Sequence, residues 1–240
     1  MNRTVRGGDF ISTLNVKDVS YTYQSKYQRV HALKGINCTF ATGKFYAIEG
    51  SSGSGKTTLL SLLAGLDKPE KGEILLDGVS YRDMDMEQLR RERLSVIFQN
   101  FNLFPLLTVE ENVVYPMQLL KKPVKAAKKE ACDLIKSVGL KEEMLKKYPT
   151  MLSGGEQQRV AIARSLASGA RIILADEPTG NLDSENGRIV VDILKRLVVQ
   201  NGCCVILVTH DRSIAKQADV VFQMRDGVIV SKLEKCREEN

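Results

Sequence analysis

Gly50-Ser-Ser-Gly-Ser-Gly-Lys-Thr57 follows the apolar run Phe45-Tyr-Ala-Ile48 and opens directly into Thr57–Leu66, where Leu59, Leu60, Leu62, Leu63 and Leu66 recur at helical spacing. Strand, glycine loop, helix is a context that few folds can supply. It demands a buried central strand whose end turns sharply into a helix, and it creates a cradle of backbone N–H groups at the helix N-terminus where negative charge is favoured. Gly50, Ser51, Ser52, Gly53, Ser54, Gly55, Lys56 and Thr57, with Thr58 beside them, are therefore expected to surround the phosphates of a nucleoside triphosphate. Lys56 should reach the β- and γ-phosphates, and Thr57 should ligate Mg²⁺.

Arg171-Ile-Ile-Leu-Ala175 is a second apolar strand, and it ends in Asp176-Glu177. A carboxylate at the tip of a strand beside a phosphate loop is placed to hold Mg²⁺, and Glu177 next to it could act on an attacking water as general base. Two acids at a strand end alone would be ordinary surface punctuation; after a phosphate loop they point to hydrolysis. A third feature is Leu152-Ser-Gly-Gly-Glu-Gln-Gln-Arg159. Ser153 can cap a helix over Gln157–Ser168, and the glycine pair behind it offers another set of close-approach N–H groups. One nucleotide has little use for two such cradles on one chain. A second copy of the chain could use the second cradle, so the pairing suggests an ATPase completed by dimerisation.

The remaining sequence sets the frame. Leu14–Val19 alternates as a half-buried strand does, Leu94–Phe98 and Cys203–Thr209 are apolar strands, and Arg188–Gln200 reads as a helix. Asp77-Gly78 and Asp226-Gly227 read as hairpin turns. Alternating β and α units imply an α/β fold with a mostly parallel sheet covered by helices. Residues 95–157 differ in texture. Pro105, Pro116 and Pro123 precede a helix over Lys125–Val138 with Ala127, Ala131, Leu134, Ile135 and Val138 on one face, closed by Gly139. The chain is thus expected to be a single domain of 240 residues, with a core of 1–94 and 158–240 and an inserted, mainly helical lobe at 95–157.

No apolar run approaches the ~20 residues of a membrane span, and the start, Met1–Asp9, has no apolar stretch behind it, so neither a span nor a signal peptide is expected. A cytosolic chain, with any membrane role supplied by a partner, follows from this. The net charge of +6 is dispersed without interleaved aromatics, so nucleic acid is not an expected partner. Five cysteines (Cys38, Cys132, Cys203, Cys204 and Cys236) lack metal-ligand spacing.

Gly50–Thr57, Gln99, Leu152–Arg159, Asp176-Glu-Pro-Thr-Gly-Asn-Leu-Asp183 and His210 occur in the order and spacing of the nucleotide-binding subunits of ABC transporters, which the chain resembles over nearly its whole length. Leu103–Val113, Asp176–Asp183 and Met224-Arg-Asp-Gly227 look like the branch with MacB-type exporters, LolD-type lipoprotein-releasing subunits and FtsE-type cell-division subunits. Asn181-Leu182-Asp183 departs from the Ser-Ala-Leu-Asp common in the wider superfamily but suits that branch. The resemblance implies a P-loop NTPase core of RecA-like type, an N-terminal antiparallel β-subdomain and an inserted α-helical signature subdomain. It implies that Gln99 senses Mg²⁺ and the γ-phosphate, that His210 bonds the γ-phosphate and positions water, and that Ser153, Gly154 and Gly155 contact the γ-phosphate held by the opposite subunit. Asp183 resembles an aspartate that communicates across the dimer, and Tyr23 the aromatic on which adenine stacks, with Tyr21 and Tyr27 close by.

The cofactors implied are ATP and Mg²⁺. The partners implied are a second, head-to-tail copy and an integral membrane permease of MacB/LolC/FtsX-like type, which would hold the chain at the cytoplasmic face of the membrane. Substrate export and transmission of force across the membrane, as in an FtsEX-like complex, both fit. A DNA-maintenance ATPase of the SMC or Rad50 kind would place long coiled coils between Lys56 and Ser153, which are 97 positions apart here without sustained heptads. Translation-type ABC proteins carry two cassettes per chain, and one is found.

Overall fold

The computed structural model describes residues 12–24 and 28–235. Met1–Asp9, Tyr27 and Cys236, which entered the sequence reading, lie outside them.

The N-terminal strands are long, alternating and antiparallel. β1 (Thr13–Gln24) pairs with β2 (Arg29–Ala41) from Leu14↔Phe40 to Tyr23↔Val30, and on its other side with β4 (Lys71–Leu76). β5 (Val79–Ser80) completes the order β2-β1-β4-β5. The second sheet contains β3 (Phe45–Glu49), β6 (Leu94–Ile97), β7 (Ile172–Asp176), β8 (Cys204–Thr209), β9 (Val220–Arg225) and β10 (Val228–Glu234) in the order β10-β9-β3-β8-β7-β6. All its pairings are parallel except β9 with β10. Both hairpins close through an Asp-Gly pair in the left-handed region, Asp77 and Gly78 at φ 54° and 82° and Asp226 and Gly227 at 51° and 82°, the geometry that matches strand twist.

Strands buried on both faces read as continuous apolar runs, and the two faces separate by parity. Tyr46 and Ile48 of β3, Leu174 of β7 and Ile206 and Val208 of β8 face one cluster, shared with Leu14, Val16 and Phe40 of the antiparallel sheet and with Leu59 and Leu62 of α1 (Lys56–Leu63). Phe40 meets the rings of Tyr46 and Phe222 edge-on, at centroid distances of 5.0 and 5.5 Å. Phe45, Ala47, Ala175, Val205 and Leu207 face the other cluster, which runs out into the helices. Burial of each such Leu, Ile or Val contributes about 1.5–3 kcal/mol. Cys38, Cys203 and Cys204 are buried, and desolvation pushes the Cys38 thiol up to about 12, so these cysteines pack as small apolar residues.

The helices after β6 are α3 (Val109–Leu119), α4 (Val124–Ser137) and α5 (Gly154–Leu166); α2 (Met86–Glu92) precedes it, and α6 (Ser184–Asn201) and α7 (Arg212–Ala215) follow β7 and β8. Ala127, Ala131 and Ile135 form the buried stripe of α4, as their spacing predicts, and Gly139 follows at φ 75°. Two boundaries move. Residues 95–97, placed within the lobe although Leu94–Phe98 reads as a strand, belong to the parallel sheet: Ser95, Val96 and Ile97 pair with Ile173, Leu174 and Ala175 of β7. The strand is legible locally, but its partner, which decides to which part it belongs, lies far along the chain. α5 begins at Gly154 rather than Gln157, because Ser153 and Glu156 close a capping box there. It packs on α3 and α4 as well as on β6. Among the described residues, no helix is long and apolar enough to cross a membrane.

The entry to α3 is held by Asn112, which is fully buried. Its Oδ1 accepts from Phe104 N at 2.8 Å, and its Nδ2 donates toward the carbonyls of Phe104, Leu107 and Thr108 at 3.0–3.1 Å. Asn112→Ala leaves these backbone groups buried without that partner. A loss of about 2–3 kcal/mol is expected, read as a lowered urea midpoint with an unchanged slope.

Candidate active site

The phosphate loop leaves β3 at Gly50 and enters α1 at Lys56. No side chain fits at its two ends. A Cβ on Gly50 would lie 2.4 Å from Met224 O of β9, and one on Gly55, at φ 100°, would lie 2.6 Å from Ala32 O of β2. The loop is therefore wedged between the two sheets. Lys56 is buried, and its Nζ donates to Gly50 O and Ser51 O, both at 2.8 Å. Desolvation lowers its pKa, while the nearby Glu177 and Asp176 charges act in the opposite sense. Ser54 Oγ is buried within the loop without a partner.

The parallel sheet sets the ends of β7 and β8 beside this loop. Thr57 Oγ1 donates to Asp176 Oδ1 at 3.3 Å. Burial raises the Asp176 pKa, the Thr57 bond lowers it, Glu177 raises it and Lys56 lowers it. Hydroxyl and carboxylate oxygens on one edge form the donor set that a hard divalent cation takes. Glu177 leaves the strand at φ 44°, with its N–H bonded to Val208 O at 3.0 Å and its carbonyl accepting from Gly180 N at 2.9 Å. That turn swings its carboxylate to His210, where Oε2 lies 2.7 Å from Nδ1. The glutamate side chain is 21% exposed and the histidine 62%, so the pair presents imidazole to solvent and shelters the acid.

Gln99 is bonded to the turn that follows β7. Its Nε2 donates to Asn181 Oδ1 at 3.3 Å, and Asn181 Nδ2 donates back to Gln99 O at 3.2 Å. Gly180 makes the approach possible, since a Cβ there would lie 2.7 Å from Gln99 Nε2. Asn181 is a site residue that sequence reasoning passed over except as a departure from a motif; its position two residues after Pro178-Thr179 in a turn was the only signal. Asp183 caps α6, accepting from Asn186 N at 2.8 Å, and that bond holds its carboxyl below the usual range.

The Ser153 region forms its own unit. Ser153 Oγ accepts from Glu156 N at 3.3 Å and donates to Glu156 Oε2 at 2.9 Å, while Ser153 N donates to the same oxygen at 2.8 Å. Among the described residues no bond joins Ser153, Gly154 or Gly155 to the Lys56 loop. The two glycines also differ. A Cβ on Gly154 would meet ordinary contacts, but one on Gly155 would lie 2.2 Å from Asn186 Oδ1. Gly155 is thus required by packing of α5 on α6, a need inside the chain that the sequence reading did not foresee. Tyr23 is half exposed, with its hydroxyl 3.3 Å from Thr58 Oγ1 at the start of α1 and its ring edge-on to Tyr21 at 5.0 Å.

The chain matches the ABC transporter family over residues 33–180. It is 40% identical over 222 residues to the uncharacterized ABC transporter ATP-binding protein MJ0796 of Methanocaldococcus jannaschii, covering 90% of this chain and 94% of that one. It is 44% identical over 220 residues to the macrolide export ATP-binding/permease protein MacB of Shigella flexneri, covering 90% of this chain but 34% of MacB. The fold superposes on the solved dimeric structure of MJ0796 with a TM-score of 0.85 and 38% identity, over 92% of this chain and 98% of that chain. A post-hydrolysis dimer of MJ0796 bound to ADP and Pi matches equally, with a TM-score of 0.85.

The helix start at Ser153 carries a pH dependence. The Ser153 N–H, then its hydroxyl, hold the Glu156 pKa below its ordinary value. A depressed carboxyl stabilises the fold fully above its unfolded pKa, and that contribution is lost as pH falls through the lower, folded value. Glu156→Ala should therefore lower Tm at pH 7, and the gap to the parent should close on acidification below the usual carboxylate range. A gap independent of pH would contradict the assignment.

Proposed function

The chain belongs to the ABC transporter family as an ATP-binding, ATP-hydrolysing subunit, and on that premise we propose that two copies close head-to-tail on two ATP molecules, each gripped by one copy's Lys56 loop and the other's Ser153–Gly155 helix start. The dimeric MJ0796 structures support this reading. The observation that carries the chemistry is the Glu177–His210 contact of 2.7 Å at the tips of β7 and β8, next to a buried Lys56.

In this reading the ATP phosphates lie in the cradle that Gly50 and Gly55 keep open. Lys56 exchanges the carbonyls of Gly50 and Ser51 for phosphate oxygens, which accept more strongly because they are charged. Thr57 and Asp176, with Gln99, would hold Mg²⁺, whose chemistry is to neutralise charge on the β- and γ-phosphates. Glu177 orients or deprotonates the attacking water, and its bond to Val208 and the turn at Gly180 fix the direction of its side chain. His210 holds the Glu177 carboxylate and offers its exposed imidazole to the γ-phosphate. These groups counter charge that grows on the transferring phosphoryl group. Tyr23 offers a half-exposed ring to adenine beside Thr58, and Asp183, at the start of α6, faces the opposite copy. The γ-phosphate bridges the two copies, so hydrolysis removes the bridge and lets them part, a ligand-driven population shift.

The same reading assigns a membrane permease of MacB/LolC/FtsX-like type as the partner, docked on the helical lobe near the root at Gln99. MacB is by name an ATP-binding/permease protein, which supports a permease rather than a nucleic acid as the object of the cycle. The chain would then sit at the cytoplasmic face of the membrane and power export, or transmit force.

Glu177→Gln should lower kcat by roughly 10²-fold or more while ATP still binds and a closed dimer accumulates on gel filtration. Full turnover by that variant would remove Glu177 as the base. Lys56→Ala should abolish nucleotide binding in an equilibrium titration. Because each site needs two copies, specific activity of the parent should fall on dilution; a rate per chain that stays constant to high dilution would sink the dimer.

A further inference from the structure

The loop that leaves β6 carries two consecutive non-glycine residues in the left-handed region, Phe101 at φ 61° and Asn102 at φ 49°. Backbone of this kind costs energy and persists only where its surroundings hold it. The holding group is Arg164, three turns along α5 from its start. Its Nη1 donates to Asn102 O at 2.7 Å and its Nη2 to Phe101 O at 3.2 Å. The guanidinium also lies 5.6 Å from the centroid of the Phe104 ring, which packs on Tyr115 of α3 at 4.9 Å. Among the described residues Arg164 makes no ion pair, and burial lowers its pKa. A largely desolvated guanidinium without a carboxylate is a costly choice for a helix face. Its planar fork matches two adjacent carbonyls in a way that a lysine cannot.

The loop it grips begins at Gln99, and the helix it stands on begins at Ser153. We propose that Arg164 is a positioning residue for ATP turnover: it clamps the Gln99–Phe104 loop to α5, so that Gln99 and the Ser153 helix start move as one body. The clamp acts through Gln99 and rests on the role given to that residue above. Phe104 and Tyr115 extend the same contact to α3, so a push on that surface reaches Gln99 through the guanidinium.

The test is a double-mutant cycle with a structural readout. Arg164→Lys should raise amide hydrogen exchange at Phe101–Phe104 by about 10-fold or more while exchange in the middle of α5 stays as in the parent. It should lower kcat by roughly 10-fold, with KM and nucleotide affinity within about twofold, since displaced catalytic groups lose rate rather than ground-state binding. In a Gln99→Ala background, Arg164→Lys should cost nothing further. If Arg164→Lys lowers Tm, Arg164→Gln is carried through the same cycle. Unchanged loop exchange, a parental kcat, or rate losses that multiply with those of Gln99→Ala would overturn the clamp while leaving Gln99 in place. Parental turnover by Gln99→Ala alone would instead remove the role of Gln99, and the route through it.

Discussion

A buried ammonium organises this molecule. Lys56 is 5% exposed, and its two hydrogen bonds go to loop carbonyls rather than to a carboxylate. Desolvation of such a charge costs several kcal/mol, and only well-placed partners offset it. The carbonyls of Gly50 and Ser51 can reach Nζ because the loop curls back on itself, which in turn requires glycines at the points wedged against β9 and β2. The remaining attraction comes from Asp176 and Glu177. Those acids are near only because β7 and β8 run parallel to β3, so that several strand ends open on the same edge. The parallel order, the wedged glycines and the acid pair are thus one constraint expressed at three levels. A sheet with β7 reversed relative to β3 would carry the acids to its opposite edge.

The inserted lobe is not an independent body. One apolar cluster runs from Ala47, Ala175 and Val205 in the sheet to Val113, Ala131 and Ile135 in α3 and α4. α5 contributes Val160, Ile162 and Ala163 to it and is packed on both sides. Displacing the lobe therefore means displacing α5, and with it whatever α5 holds at either end. Close-packed interiors move as blocks.

Elements whose signal is local were legible in the sequence. The phosphate loop, the apolar strands before Gly50 and Asp176, the Asp-Gly hairpins and the Ala127–Ala131–Ile135 stripe each announce themselves within a few residues. What escaped depends on distant partners. Nothing near Ser95 says that Val96 pairs with Leu174. Nothing near Gly155 says that Asn186 crowds it. Asn102 tolerates a left-handed backbone but Phe101 beside it does not advertise one, and Arg164 reads as one more solvated charge on a helix until its two carbonyl partners are seen. Of the site residues, Lys56, Thr57, Asp176, Glu177 and His210 are drawn together by strand order alone. Gln99 bonds Asn181, a contact set by how two loops meet.

Ser153 shows how a cap and a ligand site compete for the same atoms. Its hydroxyl has one proton, and that proton is given to Glu156 Oε2 at 2.9 Å. A phosphate seated at the start of α5 could accept that proton only if the capping box opened, and a hydrogen bond to a charged acceptor contributes about 1.5–3 kcal/mol. The Glu156 carboxylate also already answers the positive end of the helix, so a second anion there meets like charge. Lone Ser153 and its helix should therefore hold a phosphate weakly. The anion becomes favourable only when a second set of donors grips it from the other side. Lys56 is such a donor, and its own carbonyl partners release it only for a stronger acceptor. In the proposed head-to-tail dimer, Lys56 and Ser153 each begin with partners inside their own chain, so closure on that proposal would be conditional on an acceptor strong enough to displace both.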